Sequence, residues 1–304
     1  MTDIVLVKKT TALEDLLRRH TTLSQAKFYL ESRGDSYAEF KSAHEDYHAG
    51  LAAVAACIPK HVRHTCIDKT QLPTYQFGEQ DCIVAVGDDG LLVNLAKYTN
   101  NNHVLLVNPD PKRFDGVLAS CTTDGFPALL NAELSGRATT TALTMAEAKL
   151  DDGQILYALN DIYIGRKTHV SSRYELMHKR QKEAQSSDGL LITTGTGSTG
   201  WYTSIMNAAH CLSARKQSSC AFSGDAPFLV YTAMNPFPTK VTGTSMMQGR
   251  ILKTEPLRVR SRMAEQGVIF GDGVEDDYLE FNTGSLVTIT PAEKKLYVVK
   301  NING

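Results

Sequence analysis

The sequence predicts an α/β N-terminal domain with a doubly wound sheet, followed by a β-rich C-terminal domain. In the first half, short apolar strands alternate with helical patterns, which is typical of a parallel sheet. In the second half, short strands follow one another with turns and few helices, which indicates antiparallel pairing. The pattern changes near residues 140–155. We therefore expect domains at residues 1–150 and 151–290, with a last strand within residues 291–304 that returns to either of them.

The elements of the first half follow from apolar periodicity and from the prolines that interrupt it. Ile58-Pro59 ends a long helix and Asn108-Pro109 closes a buried strand, because proline lacks a backbone N–H. The predicted strands are Ile4–Val7, Thr65–Ile67, Cys82–Val86 and Val104–Val107. The predicted helices are Thr11–His20, Ser36–Cys57 and Asp89–Thr99.

The elements of the second half are mostly short strands separated by turns. One helix is predicted at Thr203–Leu212, and a final strand at Lys295–Lys300. The other predicted strands are Ile155–Leu159, Asp161–Ile164, Tyr174–Met177, Leu190–Thr193, Phe228–Tyr231, Leu257–Arg260, Gly267–Phe270 and Leu286–Thr290.

The composition indicates an ordinary globular protein. Its 304 residues are 42% hydrophobic and 21% charged, and the formal net charge is −1. This balance gives no bulk electrostatic reason to expect nucleic acid or a membrane as a partner. The six cysteines form no Cys-x-x-Cys pair, which argues against a zinc ribbon or a disulfide framework and favours the reducing cytoplasm. Ile4–Val7 has no basic residue before it, so we interpret it as a strand and not as a signal peptide.

The segment from Leu190 to Gly200 is the most informative in the chain. Apolar residues run straight into a loop of Gly, Thr and Ser, in which Gly195 and Gly197 alternate with hydroxyl side chains. Such a loop lets backbone amides and hydroxyls approach a polar ligand closely. A plain turn needs only one or two glycines. We therefore expect the loop to hold a phosphate or a ribose.

A second informative segment is Gly87-Asp88-Asp89-Gly90, which joins a buried strand directly to a helix. Ligands of open α/β sheets bind at the carboxyl ends of the strands, where a helix N-terminus offers free amides to an anion. A carboxylate there can hold Mg²⁺ or take a proton from a hydroxyl. An ordinary strand-turn-helix junction, with Asp88 or Asp89 as the N-cap, explains the same residues equally well.

A third segment, Asn160-Asp161, places two polar side chains between two apolar runs. An amide and a carboxylate together can bind ribose hydroxyls and a base edge. Taken alone, however, such a pair is more typical of a polar bulge or a hairpin turn. The motifs of P-loop ATPases, Rossmann dehydrogenases and Gly-x-Ser-x-Gly serine hydrolases are all absent from the sequence.

Taken in order, the three segments resemble the NAD kinase family. That family carries a Gly-Gly-Asp-Gly loop, an Asn-Glu pair, and an Asp-Gly followed by Thr-Pro-Thr-Gly-Ser-Thr-Ala-Tyr. The matching residues here are Gly87–Gly90, Asn160-Asp161, Asp188-Gly189 and Thr194–Trp201. The resemblance is closest to the mitochondrial-type NAD kinases and spans residues 4–290. It rests further on Val107–Gly116 and Ala158–Gly165.

The resemblance implies a fold, an activity and a set of ligands. NAD kinases have an α/β N-terminal domain and a β-rich C-terminal domain, with the active site between them. They phosphorylate the 2′-hydroxyl of the adenosine ribose of NAD to give NADP, commonly with ATP and Mg²⁺, and usually assemble as dimers or tetramers. We therefore expect NAD and ATP as ligands, Mg²⁺ as cofactor, and a homodimer or homotetramer.

The resemblance also implies a role for each matched residue. Asp89 corresponds to the catalytic carboxylate that acts as general base, and Gly87, Asp88 and Gly90 form the loop around the donor phosphates. No side chain is assigned to a metal, because Mg²⁺ is expected to bind through the phosphates. The residues expected to bind NAD are Asn160, Asp161, Asp188, Thr196, Thr199, Gly200, Trp201 and Ser204.

The chain departs from the family pattern mainly on the donor side. Asp88 stands where the family has a second glycine, Leu91 replaces a threonine, and Trp201 replaces a tyrosine. A second carboxylate beside the donor phosphates adds repulsion unless it binds a metal or turns away. Two other functions therefore stay open. One is a non-catalytic or weakly active NAD(P)-binding sensor, and the other is a kinase of the wider superfamily that acts on a lipid or another nucleotide.

Overall fold

The computed structural model of the protein describes residues 3–20, 22–213, 220–275 and 277–300. The chain divides into two compact units. The first contains residues 1–141 and 297–304, and the second contains residues 142–296. The last four residues of the expected C-terminal strand, 301–304, lie outside the described part.

The first unit is built on a parallel sheet with the strand order β2-β1-β3-β4. β1 pairs with β2 on one side and with β3 on the other, and β4 continues the sheet beyond β3. The order therefore reverses between β1 and β3, which is the switch point where ligands of such sheets bind. The strands are β1 (Ile4–Lys8), β2 (His64–Asp68), β3 (Cys82–Val86), β4 (His103–Asn108) and the short β5 (Cys121–Thr122), which pairs with β4.

The helices of the first unit are α1 (Ala12–His20), α2 (Leu23–Ser32), α3 (Tyr37–Ala56), α4 (Asp89–Ala96) and α5 (Phe126–Leu134). The sequence predicts α1, α3 and α4 but not α2 or α5. α2 buries only Ala26 and Leu30, so its apolar face is too narrow to give a clear helical period. None of the described helices is long and apolar enough to cross a membrane.

The core of the first unit covers the sheet with helices. Leu105 in β4 is fully buried and belongs to a cluster that also contains Tyr47 and Val54 from α3 and Phe126 and Leu129 from α5. Every residue of β3 is buried, as expected for a parallel strand that is covered on both faces.

The second unit contains two layers of antiparallel strands. A six-stranded sheet has the order β13-β12-β11-β8-β15-β16, and the other layer includes β10-β9-β14-β17 and the β6–β7 hairpin. The bounds are β6 (Thr139–Leu150), β7 (Ile155–Ala158), β8 (Asp161–Arg166), β9 (Ser172–His178), β10 (Gln181–Ser187), β11 (Gly189–Thr193), α6 (Trp201–Leu212), β12 (Phe228–Met234), β13 (Gln248–Leu252), β14 (Leu257–Ser261), β15 (Gly267–Gly271), β16 (Leu279–Glu280) and β17 (Leu286–Lys300).

Side-chain alternation in the six-stranded sheet separates its core face from its outer face. Ile162 and Ile164 of β8 join the core cluster of the second unit together with Tyr174 and Leu176 of β9. Asp161 and Tyr163, one residue out of phase, point to the opposite face. α6 packs on that outer face through Tyr202, which contacts Leu191 and Val230. Asp161 of the third motif therefore points away from the core of the second unit.

The structure differs from the sequence-based expectations for the second half at three places. Leu286–Thr290 and Lys295–Lys300 belong to one strand, β17, which pairs antiparallel with β14 at its start and parallel with β4 at residues 297 and 298. The expected separate C-terminal strand is thus the end of a longer one. α6 begins at Trp201 and not at Thr203. β10 is missed because its sequence, Gln-Lys-Glu-Ala-Gln-Ser-Ser, carries almost no apolar signal.

Leu105 provides a test of the core of the first unit. It is 0% exposed, so Leu105→Ala should lower the free energy of unfolding by roughly 2–5 kcal/mol. Leu23→Ala is the matched control, because Leu23 is 53% exposed and its truncation should cost no more than about 0.5 kcal/mol. Urea unfolding followed by circular dichroism measures both, and equal losses would contradict the placement of Leu105.

Candidate functional site

The Gly-Asp-Asp-Gly loop connects β3 to α4 in the first unit, and Asp88 caps the helix. The Asp88 carboxylate accepts the N–H of Leu91 at 3.1 Å and forms an ion pair with the Lys9 ammonium. Of the two candidate N-caps, Asp88 is therefore the one that caps. The positive charge of Lys9 also offsets the negative charge of Asp88. This ion pair reduces the repulsion toward phosphates that is expected from a carboxylate where the family pattern has a glycine.

Asp89 is held by a neighbouring loop of the first unit. Its two carboxylate oxygens accept the N–H groups of Val117 and Leu118, each at 3.1 Å. The Lys300 ammonium donates to the carbonyls of Leu118 and Ala119 at 3.3 and 3.0 Å. Burial lowers the pKa of Lys300, and the nearby Asp89 charge acts in the opposite direction. Asp89 thus holds the loop at residues 117–119 through its backbone N–H groups, and Lys300 holds the same loop through its backbone carbonyls.

A cavity of about 320 Å³ lies at the carboxyl ends of β1, β3 and β4. Lys9, Gly87 and Pro109, which follow these strands, line it together with Arg113 and Phe114. The Lys9 ammonium lies 4.8 Å from the centre of the Phe114 ring. The cavity occupies the switch point of the sheet, where ligands of such sheets bind, and its two cations are paired with carboxylates, Lys9 with Asp88 and Arg113 with Asp110.

In the second unit, a single carboxylate organises the Asn160-Asp161 segment. Asp272 accepts the backbone N–H groups of Leu159, Asn160 and Asp161 at 3.0, 2.7 and 3.3 Å. The N–H of Asp272 in turn donates to the Asp161 carbonyl at 2.9 Å. These bonds fix the backbone where β8 begins, so the segment is a rigid junction and not a mobile turn.

The loop after β11 packs directly on this junction. The N–H of Thr194 donates to the Asn160 carbonyl at 2.9 Å, and the Thr194 hydroxyl donates to the Leu159 carbonyl at 2.5 Å. A Cβ on Gly197 would lie 2.3 Å from the Asn160 carbonyl oxygen, and one on Gly195 would lie 1.8 Å from that of Ser223. The loop glycines are therefore required for close backbone packing, besides any contact with a ligand.

The hydroxyl groups of the loop region divide into bonded and unbonded ones. Ser198 is fully buried and bonds the Gly195 carbonyl and the Phe222 N–H. Thr199 and Ser204 donate to carbonyls of their own turns at 3.5 and 3.4 Å. The Thr196 hydroxyl is buried and has no hydrogen-bond partner within the described part of the chain. Among the loop hydroxyls that the structure describes, it is the one whose hydrogen-bonding capacity is left unused.

Asp161 also carries an unmatched oxygen. Its Oδ1 is buried without a hydrogen-bond partner among the described residues. The pKa of the Asp161 carboxyl is raised to about 7, mainly by burial and with a contribution from the Asp272 charge, while a hydrogen bond with Thr193 opposes the shift. An enclosed carboxylate with a spare acceptor is costly for the fold, which is a feature of binding and catalytic sites.

Asp188 and Trp201 line a second cavity, of about 450 Å³, on the outer face of the six-stranded sheet. Tyr163 lies at the centre of its wall, with its ring stacked on that of Trp201 at 6.0 Å and its hydroxyl 2.9 Å from the Asp188 carbonyl. The Asp188 carboxylate accepts the side-chain N–H of Asn235 at 2.7 Å. The cavity combines aromatic faces with a carboxylate, which suits a planar polar ring.

No family model matches the chain, but curated NAD kinases match part of it. The NAD kinase of Cupriavidus pinatubonensis is 31% identical over 130 residues, and that of Chlorobaculum tepidum is 28% identical over 125 residues. Each match covers 40% of this chain, and they cover 42% and 43% of the relatives' own lengths. The chain is therefore related to NAD kinases over part of its sequence.

Two solved structures match nearly the whole chain. Yeast NADH kinase complexed with NADH aligns with a TM-score of 0.66 at 13% identity and covers 100% of this chain and 84% of its own. An NAD kinase from Archaeoglobus fulgidus in complex with ATP aligns with a TM-score of 0.61 at 14% identity and covers 99% and 95%. The chain has the NAD kinase fold. This result confirms the expected fold class, an α/β unit followed by a β-rich unit.

On the NAD kinase fold, the expected site residues form groups within each unit. Gly87–Gly90 adjoin one another and Lys9 in the first unit. In the second unit, the Thr193–Gly200 loop packs on Asn160, while Asp188 and Trp201 share a cavity. Thr199 and Ser204 are exposed residues that bond main-chain carbonyls.

Several residues around these groups are not expected from the sequence. Lys9 follows β1 and Gly87 follows β3, and parallel neighbouring strands bring their ends together, so their proximity could have been inferred. Tyr163 could also have been found from its period-two spacing with Asp161. Lys300 carries no local signal, because its contact with Leu118 depends on β17. The four-residue spacing of His44 and His48 on α3 is a further sequence signal that the expected site does not use.

The raised pKa of Asp161 can be tested through the pH dependence of the protein's stability. Because folding raises the pKa of its carboxyl from 3.8 to about 7, its stabilising contribution is present below pH 3.8 and is lost as the pH rises to about 7. Asp161→Asn should therefore be more stable than the wild type above about pH 7, by up to roughly 4 kcal/mol, and equally stable near pH 4. Thermal unfolding across this range measures the difference. Asp124→Asn is the control, because Asp124 is exposed and its stability relative to the wild type should not change with pH in this way. If the stability of Asp161→Asn relative to the wild type did not change with pH, the raised pKa would be contradicted.

Gly197 provides a test of the loop packing. Gly197→Ala places a Cβ 2.3 Å from a backbone oxygen, so it should lower the free energy of unfolding by roughly 1–3 kcal/mol. Gly200→Ala is the matched control, because its nearest neighbour would lie at an ordinary 3.5 Å. Thermal unfolding of both variants measures the effect. Equal stability of the two would show that the loop is not packed against Asn160 as described.

Proposed function

We propose that the chain belongs to the NAD kinase family and phosphorylates the 2′-hydroxyl of the adenosine ribose of NAD, with ATP and Mg²⁺, to give NADP. The observation that carries this proposal is that two buried acceptors of the matched motifs, Asp161 Oδ1 and Thr196 Oγ1, have no hydrogen-bond partner among the described residues. Both lie in motifs that match those of NAD kinases, on a chain with that fold. Enclosed oxygens of this kind suit the hydroxyl groups of a nucleotide sugar.

The proposed acceptor site uses the rigid junction around Asn160. Asn160 and Asp161 bind the ribose hydroxyls: Asp272 fixes their backbone, and Asp161 Oδ1 has no hydrogen-bond partner in the described part of the chain. Asp188 and Trp201 bind a ring of the dinucleotide in the 450 Å³ cavity. We assign Thr196, Thr199, Gly200 and Ser204 to the same dinucleotide, with Thr196 as the principal hydroxyl contact.

The proposed donor site uses the loop that follows β3. Gly87 lines a cavity with Lys9 and Arg113 at the carboxyl ends of the parallel strands, where ligands of such sheets bind. Asp88 remains on Lys9 and on the α4 N-terminus, so its charge does not oppose the donor directly. Gly90, in the first turn of α4, has space for no more than a small side chain, since a Cβ would lie 3.2 Å from Asp88.

Asp89 is the proposed general base. One lone pair of each carboxylate oxygen is used by the N–H of Val117 or Leu118, so further lone pairs remain for the proton of the ribose hydroxyl. The two amides hold the carboxylate in one orientation, which lowers the entropic cost of aligning it with a substrate. Phosphoryl transfer asks little more of the protein than such alignment and the neutralisation of phosphate charge.

The carboxylates of the donor loop fit Mg²⁺ only in a supporting role. Asp88 is bound to Lys9, and both oxygens of Asp89 accept backbone amides, so they do not form an all-protein oxygen cage. Mg²⁺ that arrives with ATP would be held mainly by the donor phosphates and would neutralise their charge. The likeness of Val107–Gly116 and Ala158–Gly165 to mitochondrial-type members, and assembly as a homodimer or homotetramer, are further parts of the proposal.

Substitution of Asp89 tests the proposed chemistry. Asp89→Asn keeps one acceptor for the Val117–Leu118 amides but removes the base, so NADP formation from NAD, ATP and Mg²⁺ should fall by roughly 10²–10⁴-fold. Affinity for NAD, measured by calorimetry, should stay at the wild-type value. Asp115→Asn is the control, because Asp115 is an exposed carboxylate in the same loop region and its loss should leave turnover unchanged.

The same assay separates the alternatives. A wild-type protein that binds NAD but forms no NADP would favour the sensor and overturn the kinase. A protein that neither binds NAD nor forms NADP would favour a different acceptor, such as a lipid or another nucleotide. Full turnover in Asp89→Asn would leave the kinase in place but remove Asp89 as its base.

A further inference from the structure

A cluster of three potential metal ligands lies between α1 and α3 of the first unit. Glu14 belongs to α1, and His44 and His48 belong to α3. One ligand atom from each side chain lies within 4.8 Å of the others. Glu14 Oε1 and His48 Nε2 are 3.1 Å apart, and the two imidazole centres are 4.3 Å apart. Two ligands on a tetrahedral zinc ion are roughly 3.4 Å apart, so only small side-chain rotations separate this arrangement from a coordination sphere.

Thr11 holds two of the three ligands in place. Its hydroxyl lies 2.8 Å from His44 Nδ1, and its backbone N–H donates to Glu14 Oε2 at 2.7 Å. A proton on His44 Nδ1 that is donated to this hydroxyl leaves Nε2 free as the ligand atom. Metal-binding histidines commonly use their second nitrogen in this way. The Thr11 amide orients the carboxylate similarly and leaves Oε1 toward His48.

The charge of the cluster also suits a cation. Glu14 contributes a carboxylate, and His44 and His48 contribute imidazole nitrogens. One anionic and two imidazole ligands select zinc and similar transition metals, whereas Mg²⁺ prefers oxygen ligands.

We propose that Glu14, His44 and His48 form a binding site for a divalent transition metal such as Zn²⁺, with three protein ligands and one open position. The site would join α1 to α3 beside the cavity that Thr11 and His44 line. It is independent of the Mg²⁺ that the kinase reaction uses.

The site is proposed for binding and not for hydrolysis. His44 to His48 spell His-Glu-x-x-His, the spacing of zinc peptidases, in which the glutamate acts as general base. Here Glu45 forms an ion pair with Lys41 at 3.6 Å, and both side chains are more than half exposed. Glu45 is therefore engaged on the solvent-facing side of α3, and a peptidase function finds no support.

The test is calorimetric titration of the full chain, produced without a polyhistidine tag and stripped of metal, with ZnCl₂ and separately with MgCl₂. We expect one Zn²⁺ per chain and no binding of Mg²⁺ at this site. Loss of a supporting hydrogen bond typically weakens metal binding about 10–100-fold, so His44→Ala and His48→Ala should each weaken it by at least about 100-fold. Thr11→Val, which removes only the hydroxyl, should weaken it by about 10-fold.

Two controls make the result specific. His64→Ala removes an exposed histidine of β2 and should leave Zn²⁺ affinity unchanged. Cys57→Ser/Cys66→Ser removes two exposed thiols of the same unit and should also leave it unchanged. Circular dichroism confirms that each variant is folded. Absence of Zn²⁺ binding in the wild type, undiminished binding in folded His44→Ala and His48→Ala, or loss of binding only in the cysteine variant would each overturn the proposal.

Discussion

The structure depends on one constraint: backbone donors at the ends of buried strands and helices must find acceptors. Carboxylates supply many of them. Asp272 accepts three amides before and at the start of β8, Asp88 accepts an amide at the start of α4, and Asp89 accepts two amides of the Val117–Leu118 loop. Because an unpaired buried amide costs a free energy comparable to a lost hydrogen bond, these three acids are as much a part of the fold as of the candidate sites.

The same constraint distinguishes structural polar groups from those available to a ligand. Most hydroxyls around the Gly-Thr-Gly-Ser-Thr loop bond nearby carbonyls, as Thr194 and Ser198 do. Asp161 Oδ1 and Thr196 Oγ1 are buried and unpartnered within the described residues. Since the fold gains nothing from enclosing a free acceptor, the proposed function assigns these two atoms of the matched motifs to a polar ligand. The loop glycines have a different role, because a Cβ on Gly195 or Gly197 would overlap a neighbouring backbone oxygen. They are required for backbone packing, and their contact with a ligand is part of the proposal.

Charge compensation explains how the chain accommodates its unusual second loop carboxylate. Asp88 would repel donor phosphates if it were free, but the Lys9 ammonium and the Leu91 amide both bind it. Lys9 in turn is placed by β1, whose carboxyl end lies next to that of β3 in the parallel sheet. The hydroxyl of Tyr47 fixes both strand ends, because it accepts the N–H of Lys9 at 2.8 Å and donates to the Val86 carbonyl at 3.1 Å.

The sequence by itself determined the fold class, the strands with a clear apolar pattern and the three motifs. β3 could be located because it is a continuous apolar run, and α3 because its long helical pattern ends at Ile58-Pro59. Elements without a clear apolar period, such as β10 and α2, could not be located from their own residues; β10 pairs with the preceding strand β9, and α2 packs with residues of α1 and α3. Only the tertiary structure decided that Asp88 caps α4, that Asp161 keeps a free acceptor, and that Lys300 supports the Asp89 loop. The contacts of the Asp89 loop join residues that are at least 28 positions apart in the chain. The free oxygen of Asp161 is defined by the absence of a partner among the described residues. The cap of α4 depends on which of the two adjacent carboxylates, Asp88 or Asp89, occupies the helix end. Local sequence pattern carries no information about such contacts.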